Sequence, residues 1–261
     1  MLHNYVISLT TAHDRRTHIT DEFGKQAIAF EFFDAVTAHT LPAYCDSLGL
    51  TNILTSERLS NGEKGCFISH AALWQKMLDD DLSHIAIFED DVHLGEQANL
   101  FLTDDDWLDD AVGLIKIEHF AHEVALQPAI STIHHRHIQP LISGNLGTAG
   151  YIIHRDTAKE LLDILKNKTE SEIIAIDHFM FQEVIIKQQI EVHQLNPALC
   201  IQSDRLDPTT TLQSDINGER RQRMNQEKQN RTLGQKIKRE LDRFFNKLSQ
   251  SSKQMQKVEF R

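Results

Sequence analysis

Ile85-Ala86-Ile87-Phe88-Glu89-Asp90-Asp91 sets four apolar residues directly against three acids. Four apolar residues with polar flanks have the length of a buried strand. Open α/β sheets bind ligands at the carboxyl ends of their strands, so this run would deliver its acids to a binding crevice. Carboxylates crowded there repel one another unless a cation offsets them. Glu89 and Asp91, two positions apart, can serve one metal through a tight loop. Hard oxygen ligands suit Mg²⁺ or Mn²⁺, and such ions commonly hold substrate phosphates. Taken alone, the acids could also be a solvated turn after a strand.

The surrounding pattern is that of an α/β protein. Tyr5-Val6-Ile7-Ser8-Leu9 reads as a first buried strand, followed by a helix from about Arg15 to Gly24 and a second strand at Ala29-Phe30-Glu31-Phe32-Phe33. Residues 37–60 show no regular period. Ser60-Asn61 can cap a helix running from Gly62 to Leu78, whose Phe67, Ala71, Trp74 and Leu78 form one apolar stripe. Further strands are expected at 114–118 and 151–154, and helices at 156–165 and 176–190.

Composition narrows the class. The chain has 261 residues, enough for one α/β domain and an extension. Its net charge of −11 argues against nucleic acid as a partner. The charge is unevenly spread: residues 218–261 hold 13 Lys and Arg against 5 Asp and Glu, leaving 14 against 33 elsewhere. Within that basic tail, Leu233, Ile237, Leu241, Phe244, Phe245 and Leu248 space as an apolar stripe among lysines and arginines. A basic amphipathic helix of this kind reads as an element for an anionic membrane surface. The last dozen residues read as a polar, mobile end. Three cysteines, Cys45, Cys66 and Cys200, lack CxxC spacing, which fits a reducing compartment. No secretory signal or spanning segment is evident, so a cytoplasmic protein, peripheral on the inner face of the membrane, is expected. The histidines between His119 and His137 lack a four-ligand zinc pattern.

Four pieces in order carry a resemblance: Tyr5–Leu9 with Arg15-Arg16; Phe30-Glu31-Phe32-Phe33-Asp34-Ala35; Gly62-Glu63-Lys64-Gly65-Cys66-Phe67-Ile68-Ser69-His70 with Trp74; and Phe88-Glu89-Asp90-Asp91. Together they resemble glycosyltransferase family 25, the lipooligosaccharide and lipopolysaccharide biosynthesis enzymes, over roughly residues 3–215. The resemblance implies a GT-A-like nucleotide-sugar-binding fold with a mostly parallel central sheet. It implies a catalytic domain over 1–217 and leaves 218–261 as a helical tail. It further implies a UDP-sugar donor, a divalent cation, inversion at the anomeric carbon and a lipooligosaccharide or related glycan acceptor.

Under that resemblance Asp91 and Glu89 are the metal ligands, and Arg15, Arg16, His70, Glu89, Asp90 and Gly147 contact the donor. A guanidinium fork suits a diphosphate. The Gly144–Tyr151 segment is similar to a family glycine-rich bend, with its register uncertain by one residue. An inverting transfer needs a base for the acceptor hydroxyl. Asp177 is the first candidate, with a helix cap as its alternative role, and Glu118 is the second. The activity expected is hexose transfer, galactose from UDP-galactose first and glucose from UDP-glucose second. A phosphodiesterase and a non-catalytic glycan- or nucleotide-binding relative are the rivals from other classes.

Overall fold

The computed structural model describes residues 1–121, 123–207 and 255–261. The chain opens with β1 (His3–Ser8), α1 (His13–Gly24) and β2 (Glu31–Asp34). Two short helices follow, α2 (Leu41–Leu48) and α3 (Thr51–Thr55), then the long α4 (Asn61–Asp79). β3 (His84–Glu89) and β4 (Val92–Leu94) flank the acids, and α5 (Asn99–Leu102) comes next. Seven short strands or helices complete the middle of the chain: β5 (Leu114–Lys116), β6 (Glu118–His119), β7 (Glu123–Ala125), β8 (Ser131–Ile133), β9 (Arg136–Pro140), β10 (Gly150–His154) and α6 (Arg155–Lys166). A helical segment runs from Ile176–His178 through a π-helical turn at Phe179–Glu183 into Val184–Ile186. β11 (His193–Asn196), β12 (Cys200–Gln202), the single turn Ser203–Leu206 and β13 (Met255–Lys257) complete the described chain.

Eight strands form the main sheet in the order β2-β1-β3-β10-β5-β11-β9-β8. The sheet is mixed rather than mostly parallel, with three parallel pairings and four antiparallel ones. Two of the antiparallel pairings belong to β9, and the two at the centre of the sheet follow from how β10 arrives. A parallel strand needs a long crossover, usually a helix, to carry the chain back to the opposite edge. β10 is instead fed by the loop 141–149, which already lies at the carboxyl end of β3, so the strand enters there and runs back, Gly150 opposite Phe88. This route lays Gly147, Thr148 and Ala149 over the acidic end of β3, where Glu89 N–H bonds the Ala149 carbonyl at 3.1 Å.

Strand alternation divides the core into two layers. Tyr5, Ile7, Ile85, Ile87, Tyr151 and Ile153 face α4, α6 and the 176–186 segment. Val6, Ala86, Phe88 and Ile152 face α1 and Phe101 on the other side. α4 starts where its sequence predicts: Ser60 accepts from Glu63 N–H while the Glu63 carboxylate accepts from Ser60 N–H. Its fully buried Phe67, Trp74 and Met77 are each worth about 1.5–3 kcal/mol of apolar burial.

Three expectations need correction. Residues 37–60 hold α2 and α3, whose Leu41, Cys45, Leu48 and Ile53 are buried against α4; the elements are too short to show a period. The second strand starts at Glu31 and is an edge strand, only half-buried. The end of the chain is not a loose tail: β13 pairs with β7, and Val258 is fully buried. Arg136 ties that end down by donating to the Arg261 carbonyl at 2.6 Å and to the Ala198 carbonyl at 2.9 Å. The expected amphipathic helix at 231–248 lies outside the described residues.

Gly65 sets how closely α4 approaches the chain leaving β2. A Cβ there would sit 2.4 Å from the Val36 carbonyl oxygen, and Ser69 Oγ links the two by accepting from Val36 N–H and donating to the Gly65 carbonyl, both at 2.8 Å. Gly65→Ala must push backbone against backbone, with an expected loss of about 1–3 kcal/mol. The urea midpoint would show it, and an unchanged midpoint would mean that α4 is free to shift.

Candidate active site

The carboxyl ends of β1, β2 and β3 open onto one cavity of about 450 Å³. Ser8, Arg15, Cys66, His70 and all three acids, Glu89, Asp90 and Asp91, line it. Each acid has a different setting. Asp90 is neutralised: its Oδ1 accepts from Arg15 at 2.5 Å and its Oδ2 from Ser8 Oγ at 2.7 Å. Arg15 reaches it from the first turn of α1, directly after the β1 loop.

Glu89 and Asp91 converge on one point. The Gln202 amide nitrogen lies 3.2 Å from Glu89 Oε2 and 3.4 and 3.5 Å from the two Asp91 oxygens. Thr148 Oγ1 donates to the other Glu89 oxygen at 2.7 Å. Asp91 is 3% exposed, and its carbonyl accepts from both Ser203 N–H and Ser203 Oγ at 2.8 Å. Burial pushes the Glu89 pKa up, and the Asp91 charge pushes it further. Burial likewise raises Asp91, with Arg15 opposing and Asp90 and Asp204 adding to the rise. Asp204 Oδ1 is buried without a protein partner.

This donor set fits a hard divalent cation. It offers carboxylate oxygens from Glu89 and Asp91 with too little positive charge to balance them, and a third carboxylate nearby. The sign of the pH effect follows. A carboxylate whose folded pKa is raised favours the folded state while it holds its proton, and that contribution is lost as pH rises through the raised value. The metal-free protein should therefore lose melting temperature as pH climbs from the ordinary carboxylate range past neutrality, and Mn²⁺ should bind more tightly over the same interval. Titration calorimetry at several pH values checks this; affinity independent of pH would count against these ligands.

His70 sits one turn beyond Cys66 on α4 and is fully buried. Trp74 Nε1 donates to the Tyr151 hydroxyl at 3.0 Å, and that hydroxyl meets His70 Nδ1 at 2.8 Å. Trp74 can only donate, and among the described residues His70 Nδ1 is the one acceptor bonded to that hydroxyl, so Tyr151 donates to Nδ1 and the hydrogen of the neutral ring falls on Nε2. Nε2 has no protein partner, and burial holds the ring neutral, with a pKa of about 3.

Other expected residues lie elsewhere. Arg16 does not line the cavity. Its guanidinium bonds the Ser8 and Leu9 carbonyls and Asp34, and it covers the Phe32 ring at 4.7 Å. It joins the ends of β1 and β2, a role its sequence neighbourship to Arg15 conceals. Glu118 is fully buried, with Oε2 accepting from Lys116 at 2.6 Å and from Ala149 N–H at 3.1 Å. Gly147 lies against it at φ +88°, where a Cβ would fall 2.5 Å from Glu118 Oε1. These two hold the 147–149 loop over Glu89. Asp177 is 7% exposed and accepts from His178 N–H at 2.9 Å; it does not line the cavity.

Sequence reasoning missed Thr148, Gln202, Ser203 and Asp204. The last three arrive on β12 and the turn after it, which pairs antiparallel with β4, a long-range pairing with no local signature.

A model of Glycosyltransferase family 25 (LPS biosynthesis protein) matches residues 1–180. A lipooligosaccharide biosynthesis protein, lic2B, from Haemophilus influenzae is 39% identical over 88% of this chain and 87% of that one. The lacto-N-neotetraose biosynthesis glycosyltransferase LgtE of Neisseria gonorrhoeae is 37% identical over 85% of this chain and 82% of its own length. Among solved structures, a glycosyltransferase involved in the glycosylation of the major capsid of PBCV-1 aligns with a TM-score of 0.44 and 8% identity, covering 77% of this chain and 92% of that chain.

Proposed function

The chain belongs to glycosyltransferase family 25, and from that premise we propose that it is a metal-dependent, inverting hexosyltransferase of GT-A-like fold. The donor we assign is UDP-galactose, and the acceptor a sugar hydroxyl of a lipooligosaccharide or related glycan. The observation that carries the reading is the convergence of Glu89 and Asp91 on one point of a cavity that Arg15 and His70 also line.

Glu89 and Asp91 would hold the cation, Mn²⁺ or Mg²⁺, which supplies charge neutralisation for a diphosphate leaving group. Arg15, already braced by Asp90, offers its guanidinium edge to phosphate oxygens. His70, neutral with its hydrogen on Nε2, can donate to a donor oxygen without adding charge. The acceptor oxygen attacks the anomeric carbon opposite the departing UDP oxygen, forming one C–O bond as the other breaks, and its proton passes to a carboxylate. We assign that base to Asp177 on the family resemblance, since Glu118 is committed to Lys116 and sealed from solvent; Asp177 lies outside the donor cavity, so the acceptor must bridge from the cavity to it. Asp177→Asn should lower kcat by about a hundredfold or more while donor affinity changes little; an unchanged kcat removes Asp177 from the mechanism.

The deciding experiment is UDP release across a panel of UDP-sugars with Mn²⁺ or Mg²⁺ and lipooligosaccharide core acceptors. Turnover only with UDP-glucose would replace the donor, and donor binding without turnover across the panel would overturn the enzymatic reading. Among the described residues no helix is long and apolar enough to cross a membrane. Attachment to an anionic membrane surface, proposed for the basic tail, needs a careful truncation. Residues 255–261 pack on the body, so a deletion of 218–250 that spares them is the fair test. Equal binding of the deleted protein to anionic vesicles would refute that attachment.

A further inference from the structure

A second group of potential ligands lies outside the cavity, where α1 meets β4. His18 and Glu22 are one turn apart on the same face of α1, and His93 projects from the middle of β4. One ligand atom from each lies within 4.8 Å of the other two. The two imidazole rings meet edge to face, centroids 4.6 Å apart.

The hydrogen bonds around the rings select their tautomers. His18 Nε2 lies 2.8 Å from the Val92 carbonyl, which can only accept, so Nε2 carries the hydrogen. Ser203 Oγ spends its hydrogen on the Asp91 carbonyl at 2.8 Å. Its oxygen therefore accepts from His93 Nε2, 3.0 Å away. In both neutral rings the lone pair is left on Nδ1. A ring whose other nitrogen is anchored to an oxygen is the usual arrangement of a metal-binding histidine. Glu22 accepts from Leu94 N–H at 2.9 Å and from Lys25 at 2.6 Å. Lys25 is two-thirds exposed and can give way to a cation.

The other histidine group outside the cavity shows what this requires. His84, Asp110 and His154 are equally close, but His154 Nδ1 accepts from Asp156 N–H at the start of α6. Its hydrogen is thus forced onto Nε2, the nitrogen that faces Asp110, and that ring offers no lone pair to a shared ion.

We propose that His18, Glu22 and His93 bind one transition-metal ion, with Zn²⁺ as its representative. Two imidazoles and a carboxylate suit such an ion better than the all-oxygen acid cluster does. Zinc bonds of about 2.0–2.1 Å place tetrahedral ligand atoms about 3.3 Å apart, a closure within reach of side-chain torsions. His18 and His93 are only half-buried, which leaves water the remaining coordination position. The ion would fasten α1, the helix carrying Arg15, to the strand that follows Asp91. The inference does not depend on the sugar-transfer reading.

The test uses the untagged full chain, stripped with a chelator and titrated with Zn²⁺ by calorimetry. With excess Mg²⁺ present to occupy the acid cluster, one tight equivalent that depends on positions 18 and 93 is expected in the wild type. His18→Gln and His93→Gln should each weaken it at least tenfold, while metal-free melting stays near that of the wild type because glutamine retains an amide donor. Asp91→Asn and His154→Gln should bind zinc as the wild type does. Co²⁺ should give the visible absorption of a low-coordinate site, lost in the two glutamine variants at positions 18 and 93. Unchanged zinc affinity in those two variants, or absence of stoichiometric binding in the wild type, overturns the site. Loss in Asp91→Asn alone also overturns it and assigns the ion to the acid cluster.

Discussion

Asp91→Asn is expected to abolish sugar transfer, lowering kcat by about a thousandfold or more, the scale seen when a preorganised transition-state charge stabiliser is removed. The substitution is nearly isosteric, and Asp91's structural bonds to Ser203 run through its backbone carbonyl. The fold should therefore survive. The variant should in fact be harder to melt without metal at neutral pH and above. Asp91 is a buried carboxylate raised by burial and by Asp90 and Asp204, so its charge opposes folding, and asparagine removes that charge. Natural sites commonly hold such a trade of stability for function. The measurements are UDP release and thermal melting of both proteins at two pH values in chelator. Near-normal turnover would sink the metal assignment. Lost turnover with lowered stability would mean that Asp91 is a structural residue.

The part of this site that lies within one local pattern was legible in the sequence. The run from Ile85 to Asp91 gave both the strand and the direction of its acids, because strand end and acid cluster are adjacent in the chain. The Ser60-Asn61 cap and the stripe through Trp74 likewise placed α4, the helix that carries His70 to the cavity wall. What stayed hidden depends on which strand lies beside which. Gln202, the amide shared by Glu89 and Asp91, sits 111 residues beyond Asp91. It reaches the site only because β12 pairs with β4. The mixed sheet was hidden for the same reason. Tyr151-Ile152-Ile153 is an apolar run that reads equally well as a parallel or an antiparallel strand, and only the route of the 141–149 loop decides. Arg16 shows the limit of reading neighbours as equals. On α1 it lies about 100° around the axis from Arg15, so it meets Asp34 and Phe32 while Arg15 meets Asp90.

Lys116→Met should be the most destabilising single change near the site, costing about 3–5 kcal/mol, as breaking a buried ion pair does when one charge is left behind. Lys116 is fully buried between Glu118 and the Gly147 carbonyl, 2.6 Å from each, with the Phe181 ring 4.3 Å away. Methionine fills the stem's volume and packs on the ring, so the loss is one of charge rather than shape. Glu118 is then left without its counter-ion, in a setting where burial already raises its pKa. Its remaining partner on that oxygen, Ala149 N–H, is neutral. Two readouts follow. In urea, Lys116→Met alone should unfold far earlier than wild type, while Lys116→Met with Glu118→Gln should recover much of the difference, because the stranded charge is gone; the coupling between the two positions should exceed 1 kcal/mol. Strictly additive losses would show that the pair does not act as a unit. The second readout is catalytic. Lys116 holds the Gly147 carbonyl and Glu118 holds Ala149, so between them they fix Thr148, whose hydroxyl orients Glu89 at 2.7 Å. The double variant, folded but without the Gly147 tether, should bind Mn²⁺ more weakly than wild type. Wild-type metal affinity in that variant would show that the loop keeps its place over Glu89 without the buried pair.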